Sequence, residues 1–269
     1  MTPQNPRLHP RLPLRATLAE AFALWPVILG GAGGAIAAAA ILWGVGALPF
    51  ADGLALVLRP LALLAALVAW SAATRIGVAG GVQAAKATGL GPSGFQFGWA
   101  ELRLAGAVSL LILFFAIVFS LLGLTALALF GAAGLDVEAL KARDWAGVGP
   151  AWKLVLLSLI GAGLIGAPLA LMVRVSLFAQ ATIARGRMTS LGATVLTNGS
   201  MIPLFVGLCL IAAPGLVWLW VGVATGLDVL WITVGWLLLQ AVWQAPLTAG
   251  FLGAAWRRLD RGDEELAPL

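Results

Sequence analysis

The charged residues of this chain are gathered into short clusters, and between the clusters lie six apolar stretches, each long enough to cross a bilayer. A hydrocarbon core about 30 Å thick is crossed by about 20 helical residues at 1.5 Å each. Backbone N–H and C=O groups find no water there, so each stretch must close its hydrogen bonds internally, as a helix. Helices are therefore expected near Trp25–Leu48, Pro60–Val82, Leu104–Ala132, Lys153–Val175, Met201–Val223 and Leu230–Gly250. Composition agrees: 61% of the 269 residues are hydrophobic and 10% are charged, against about half and about a quarter in soluble domains. Secreted enzymes, cytosolic enzymes and disordered regulators are excluded on that ground.

The positions of the bases predict an orientation. An even number of crossings brings both ends to one face. The tails and the loops after the second and fourth helices hold Arg7, Arg11, Arg15, Arg75, Lys86, Arg103, Arg174, Arg185, Arg187, Arg257, Arg258 and Arg261. The opposite face holds Arg59, Lys141, Arg143 and Lys153. Twelve bases against four predict cytoplasmic termini by the positive-inside bias. The net charge of +5 is scattered and forms no basic run of the kind that binds nucleic acid. Trp25, Trp99, Trp152 and Trp256 fall at expected interfaces, where indoles prefer to sit. Ala21–Ala51 carries no charge and far exceeds the apolar region of a signal peptide, about 7–15 residues. It reads as a spanning helix, not a cleaved leader.

A repeated plan is discernible. Thr17–Trp25, Phe95–Arg103 and Thr189–Ser200 are short semi-polar stretches, each ahead of an apolar pair of helices. Arg15-Ala16-Thr17-Leu18 before Pro26 is similar to Arg187-Met188-Thr189-Ser190-Leu191 before Pro203. Each stretch is read as an interfacial elbow. The expected fold class is an all-α polytopic membrane protein, with six transmembrane helices as three elbow-plus-hairpin units. Six helices without internal symmetry is the alternative. The expected divisions are a cytoplasmic tail over 1–16, a six-helix domain over 17–254 and a second cytoplasmic tail over 255–269. Gly30 with Gly34, Gly77 with Gly81 and Gly222 with Gly226 are spaced to let helices approach closely, within the protein or between copies. Ala133–Ala151 is the longest outer loop, with a short amphipathic helix expected over Val137–Trp145.

Chemically active groups are scarce: the chain has one His, one Cys and no Tyr. His9 cannot build a metal site or triad without further partners, and Cys209 lies in an apolar run with no second cysteine to bridge. No enzymatic site, metal or cofactor is expected. Mid-span acids, His and Lys, the usual relay of a proton-coupled carrier, are also missing from the six stretches.

Arg75 is the most informative charge. If Pro60 begins its helix, Arg75 sits about 22 Å along it, short of the membrane boundary. It can snorkel to the headgroups, or it can face the bundle and pair with Glu20, Glu101 or a lipid phosphate. Arg174 ends an uncharged run on the fourth helix, and Val175–Ala184, with Ser176, Gln180 and Thr182, reads as a half-buried extension of it. The second helix is expected to run on similarly through Gln83 toward Lys86. Arg75 and Arg174, with Glu20 and Glu101 in the elbows, are candidates for a recess that takes an anionic headgroup; ordinary membrane anchoring is the plainer reading. Gln240 and Gln244 lie one turn apart on the sixth helix, either bonding between helices or lining a polar groove for a lipid or solute.

Phe95-Gln96-Phe97-Gly98-Trp99-Ala100-Glu101-Leu102-Arg103 and Val173-Arg174-Val175-Ser176-Leu177-Phe178-Ala179 resemble segments of a broad group of uncharacterised bacterial inner-membrane proteins. That group is similar to the membrane domain attached to some glycerophosphoryl diester phosphodiesterases. The resemblance implies a six-helix bundle with elbows and no catalytic residue, since the hydrolase of those enzymes is a separate soluble domain. The expected function is a non-catalytic, multi-pass protein of the bacterial inner membrane that binds lipid headgroups or a membrane partner, another protein or a second copy, at its cytoplasmic face. A small lipid or hydrophobic-solute transporter is the alternative. No nucleic-acid partner is expected.

Overall fold

The computed structural model describes residues 12–46, 53–134, 136–145, 147 and 150–264, with backbone alone at 55, 137, 140 and 261–264. Arg7, His9, Arg11 and Glu265 lie outside the described residues. The elements are helices α1 (Leu14–Gly46), α2 (Ala55–Ala79), α3 (Val82–Ala87), α4 (Trp99–Ala132), α5 (Val137–Lys141) and α6 (Ala151–Val175). They continue as α7 (Phe178–Arg185), α8 (Ala193–Leu196), α9 (Met201–Thr225), α10 (Val229–Leu239) and α11 (Ala245–Glu264). A π turn at Gln240–Gln244 joins the last two. No strand occurs among the described residues, and six helical segments are long and apolar enough to cross a membrane. The protein is an all-α, multi-pass membrane protein.

Two compact units are distinguishable: residues 1–107 with 174–269, and Val108–Val173. The first is built on α1, α2 and α11, whose small side chains let the helices close together. Ile28, Ala32, Ala35 and Ile36 of α1 pack on Ala69, Ala72, Ala73 and Ile76 of α2 and on Ala249 of α11. The closest approach is at Gly77 and Gly253, where a Cβ on Gly253 would lie 2.3 Å from the Gly77 carbonyl carbon. Neither position has room for a side chain.

Tryptophans tie the remaining helices to this core through main-chain carbonyls. Pro246 has no N–H to give the carbonyl four residues earlier, that of Val242, and the Trp25 indole of α1 donates to that oxygen at 2.6 Å. Trp243 donates to Ile211 at 3.1 Å, in the turn of α9 ahead of Pro214, and Trp218 of α9 donates to Ile232 of α10 at 3.0 Å. In hydrocarbon, where water cannot serve, these bonds replace the solvation of the exposed carbonyls.

The second unit holds the rest of α4 and α6, with α5 between them. Asp136 accepts from the backbone N–H groups of Glu138 and Ala139, at 2.9 and 3.0 Å, and so opens α5. Apart from Pro168 and Val173, none of this unit's described side chains is buried, and large apolar ones such as Leu127 are 69% exposed. Such a surface suits acyl chains, not water.

Several expectations need correcting. Thr17–Trp25 is not an elbow: α1 runs unbroken from Leu14, because Glu20 finds partners on α11 and Trp25 turns inward. The second helix does not run on toward Lys86. It stops at Gly80, whose left-handed φ of 75° only glycine adopts readily, and α3 starts afresh. The fourth helix also breaks, at Ser176 and Leu177, and Phe178–Thr182 of α7 are buried, not half-buried. Residues 255–260 are not a solvated tail, since α11 continues through them and Trp256 is buried, with the Arg185 guanidinium 5.0 Å over its ring. The glycine pairs divide their tasks: Gly77 and Gly222 meet neighbouring helices, whereas Gly226, with a φ of 68°, ends α9.

Candidate functional site

Arg75, Glu101, Glu20, Arg174, Gln240 and Gln244 occupy three different settings. Arg75 is 7% exposed and Glu101 1%, and they form an ion pair at 2.8 Å. The Ser71 hydroxyl, one turn before Arg75, donates to the same carboxylate oxygen at 2.7 Å. Arg75 Nη1 donates to the Thr88 carbonyl in the loop after α3, while its buried Nε has no partner. Glu101 lies in the first turn of α4, where the helix dipole favours a negative charge. The cluster thus fastens α2, the 88–98 loop and α4 together. Arg75 does not snorkel, because a carboxylate is available inside the bundle.

Glu20 is not a partner of Arg75. It binds Arg257 at 2.5 Å and Arg258 at 2.9 Å, and Arg257 Nη1 also donates to the Gly77 carbonyl at the end of α2. Arg174 is exposed, and it is its carbonyl that is engaged, by the Thr197 hydroxyl at 2.9 Å. Arg75 and Arg174 therefore present no joint recess. Arg257, assigned by sequence to the cytoplasmic tail, is the residue that links α1, α2 and α11. Its local sequence gives no sign of this, since the partner carboxylate is 237 residues away.

The third setting is a cavity of about 630 Å³ in the first unit, bounded by α1, α2, α7, α10, the π turn and α11. Its walls run from Trp43, Leu63 and Trp236 to Ala73, Ala249 and Leu252. From Leu63 to Ala73 this is about 15 Å along α2, within the middle of a candidate span, Leu56–Ala79. Gln240, Gln244 and Thr248 form a polar stripe on one wall, and Gln180 reaches the cavity from α7.

Two physical features distinguish this cavity. Gln240 Nε2 donates to Gln244 Oε1 at 2.7 Å within one helix face, not across helices, so Gln240 Oε1 and Gln244 Nε2 are left out of that bond and can serve a guest. The π turn that carries them, with Ala245 N–H bonded to Gln240 O, widens the helix by one residue at that level, a distortion that is commonest at functional sites. Secondly, Gln180 is 0% exposed and neither its amide nitrogen nor its oxygen has a protein partner. An amide buried without hydrogen bonds costs about 1–3 kcal/mol. Sequence reading placed Gln180 on a half-buried extension. The available clue was that it is the one carboxamide in an otherwise uncharged run.

The chemistry on offer is binding by neutral hydrogen-bonding groups between apolar and indole walls. Among the described residues no charged side chain lines the cavity, and no cluster of His, Cys, Asp and Glu is arranged to hold a metal ion. Comparison with family models, with curated proteins and with solved structures finds no match to this chain.

Proposed function

We propose that this membrane protein is a non-catalytic binder of a lipid-like amphiphile, which it holds in the mid-span cavity between α1, α2, α7, α10 and α11. The observation that carries the reading is Gln180, fully buried at the cavity with neither amide atom partnered among the described residues, in a lining that also bears Gln240 and Gln244. A cavity of this size is typical for one small ligand, and its position within the spans makes it reachable from the bilayer. Passage of a lipid or hydrophobic solute through the same cavity is the second reading, favoured by the π turn, where a helix can change its winding. The cytoplasmic recess is less well supported, because the terminal nitrogens of Arg75 are committed to Glu101 and Thr88.

The same proposal includes a bacterial inner membrane with both termini cytoplasmic, supported by the distribution of Arg and Lys. Binding is tested with a diazirine-bearing single-chain alkyl probe added to the protein in nanodiscs. Crosslinks to peptides containing Trp43, Leu63 or Trp236, suppressed by the cavity-filling Ala66→Phe, are expected. Labelling confined to the exposed leucines of Val108–Val173 overturns the reading. Flux of labelled lipid in proteoliposomes above that of empty vesicles decides for transport over binding alone.

A further inference from the structure

The polar groups that face the cavity restrict the chemistry of what it holds, on the premise that the cavity is a binding site. We infer that the occupant is a single-chain amphiphile whose small, uncharged head both donates and accepts hydrogen bonds, as a long-chain alcohol, a monoglyceride or a fatty carboxamide does.

The argument starts at Gln180. A carboxamide offers two N–H donors and a carbonyl acceptor, and here neither atom has a protein partner. An occupant that only accepts, such as a methyl ester or a quinone carbonyl, would satisfy the amide nitrogen and leave the oxygen buried and bare. A hydroxyl or a primary amide can satisfy both. The glutamine pair of the π turn makes the same demand. Gln240 and Gln244 join through one nitrogen and one oxygen, so one amide oxygen and one amide nitrogen are left out of that bond, whichever way the two amides are turned.

Charge narrows the choice further. Phosphate or carboxylate in this cavity would be an anion at the level of the hydrocarbon with no cation among the lining residues, a costly burial. The nearby Arg75 is committed to Glu101 and is not among the lining residues. Phospholipid headgroups are therefore disfavoured by the absence of a counter-charge, and quaternary ammonium heads by their lack of a donor.

The rest of the wall fits one alkyl chain. Ile36, Leu63, Leu237 and Leu252 with the faces of Trp43 and Trp70 bound the apolar part. The run of about 15 Å along α2 is about half of a hydrocarbon core of about 30 Å. A cavity of about 630 Å³ lies in the range that holds one small ligand, about 300–1,000 Å³.

The test is competition against the diazirine alkyl probe in nanodiscs, with competitors of identical chain and different heads: primary alcohol, primary amide, methyl ester and phosphate monoester. The alcohol and amide are expected to compete at least about tenfold more strongly than the ester and the phosphate, as one unsatisfied buried polar group requires. In Gln180→Leu the preference over the ester is expected to fall to within about twofold, the phosphate still competing weakly for want of a counter-charge, while probe crosslinking at Trp43 and Trp236 persists. Gln180→Asn, which keeps the carboxamide on a shorter stem, should retain part of it. Equal competition by all four heads, a preference for phosphate, or a preference over the ester untouched by Gln180→Leu overturns the head-group inference and leaves cavity binding standing. Loss of all cavity crosslinking in the wild-type protein instead overturns the binding reading on which it rests.

Discussion

The indole of Trp25 donates to the carbonyl of Val242 at 2.6 Å, and that carbonyl is available because Pro246, four residues on, has no N–H to offer it. One helix thus completes the hydrogen bonding of another inside the span. Trp25→Phe is expected to destabilise the protein by about 1–3 kcal/mol, the cost of leaving a carbonyl without a donor at the level of the hydrocarbon. Pro246→Ala restores the missing N–H, so Trp25→Phe with Pro246→Ala should lose markedly less than Trp25→Phe alone. Thermal melting in one detergent across the four proteins measures the coupling; strict additivity would show that the bond is not what joins the two residues.

The Arg75–Glu101 pair is buried on both sides, and removing one member strands the other. Glu101→Gln and Arg75→Met are each expected to cost about 3–5 kcal/mol, whereas Arg75→Met combined with Glu101→Leu should cost less than either. Denaturant titration of the purified variants measures the three values. A double variant no better than the singles contradicts the pairing.

Arg257 and Arg258 both reach Glu20, yet they are not equivalent. Arg257 also serves the carbonyls of Gly77 and Val78 at the end of α2, while Arg258 makes only the more exposed ion pair. Arg258→Ala should therefore change stability by less than about 1 kcal/mol, as surface pairs do, and Arg257→Ala by more. Melting temperatures at low and high salt separate them, because only the Arg258 contribution should be largely screened away.

Glycines in helices of this protein differ according to what faces them. Gly253→Ala places a methyl group against the backbone of Gly77 and should lower the yield of folded, monodisperse protein, by about 1–3 kcal/mol of overpacking or more. Gly161→Ala meets nothing within 4 Å and should be neutral or stabilising by up to about 1 kcal/mol through helix propensity. Size-exclusion profiles and melting temperatures of the two variants compare directly.

The spans were legible because length and hydropathy are properties of a single segment. Met201–Val223 was expected where Met201–Thr225 is found, and Lys153–Val175 where Ala151–Val175 is found. The first helix was cut short at Trp25 because Arg15 and Glu20 look like residues of a wet loop; they belong to α1 because α11 brings Arg257 to Glu20. The break at Gly80 has a local signature in two adjacent glycines, but the uncharged residues on both sides read as one continuous helix. At the cavity, Gln240 and Gln244 stood out by their one-turn spacing. The π turn beneath them did not, since an inserted residue leaves the order of side chains unchanged, and the isolation of Gln180 depends on how α7 lies against α2 and α11.

The first, second and last long helices meet at Gly77, Glu20 and Arg257. A ribosome delivers these elements in order, so the opening pair must wait in the bilayer while the three intervening crossings are made. During that interval Trp25 and the Gly77 face have only lipid for company. Nascent chains that stop before Ala245 cannot complete the bundle, and a quality-control protease that recognises loosely associated helices would meet its best substrate there.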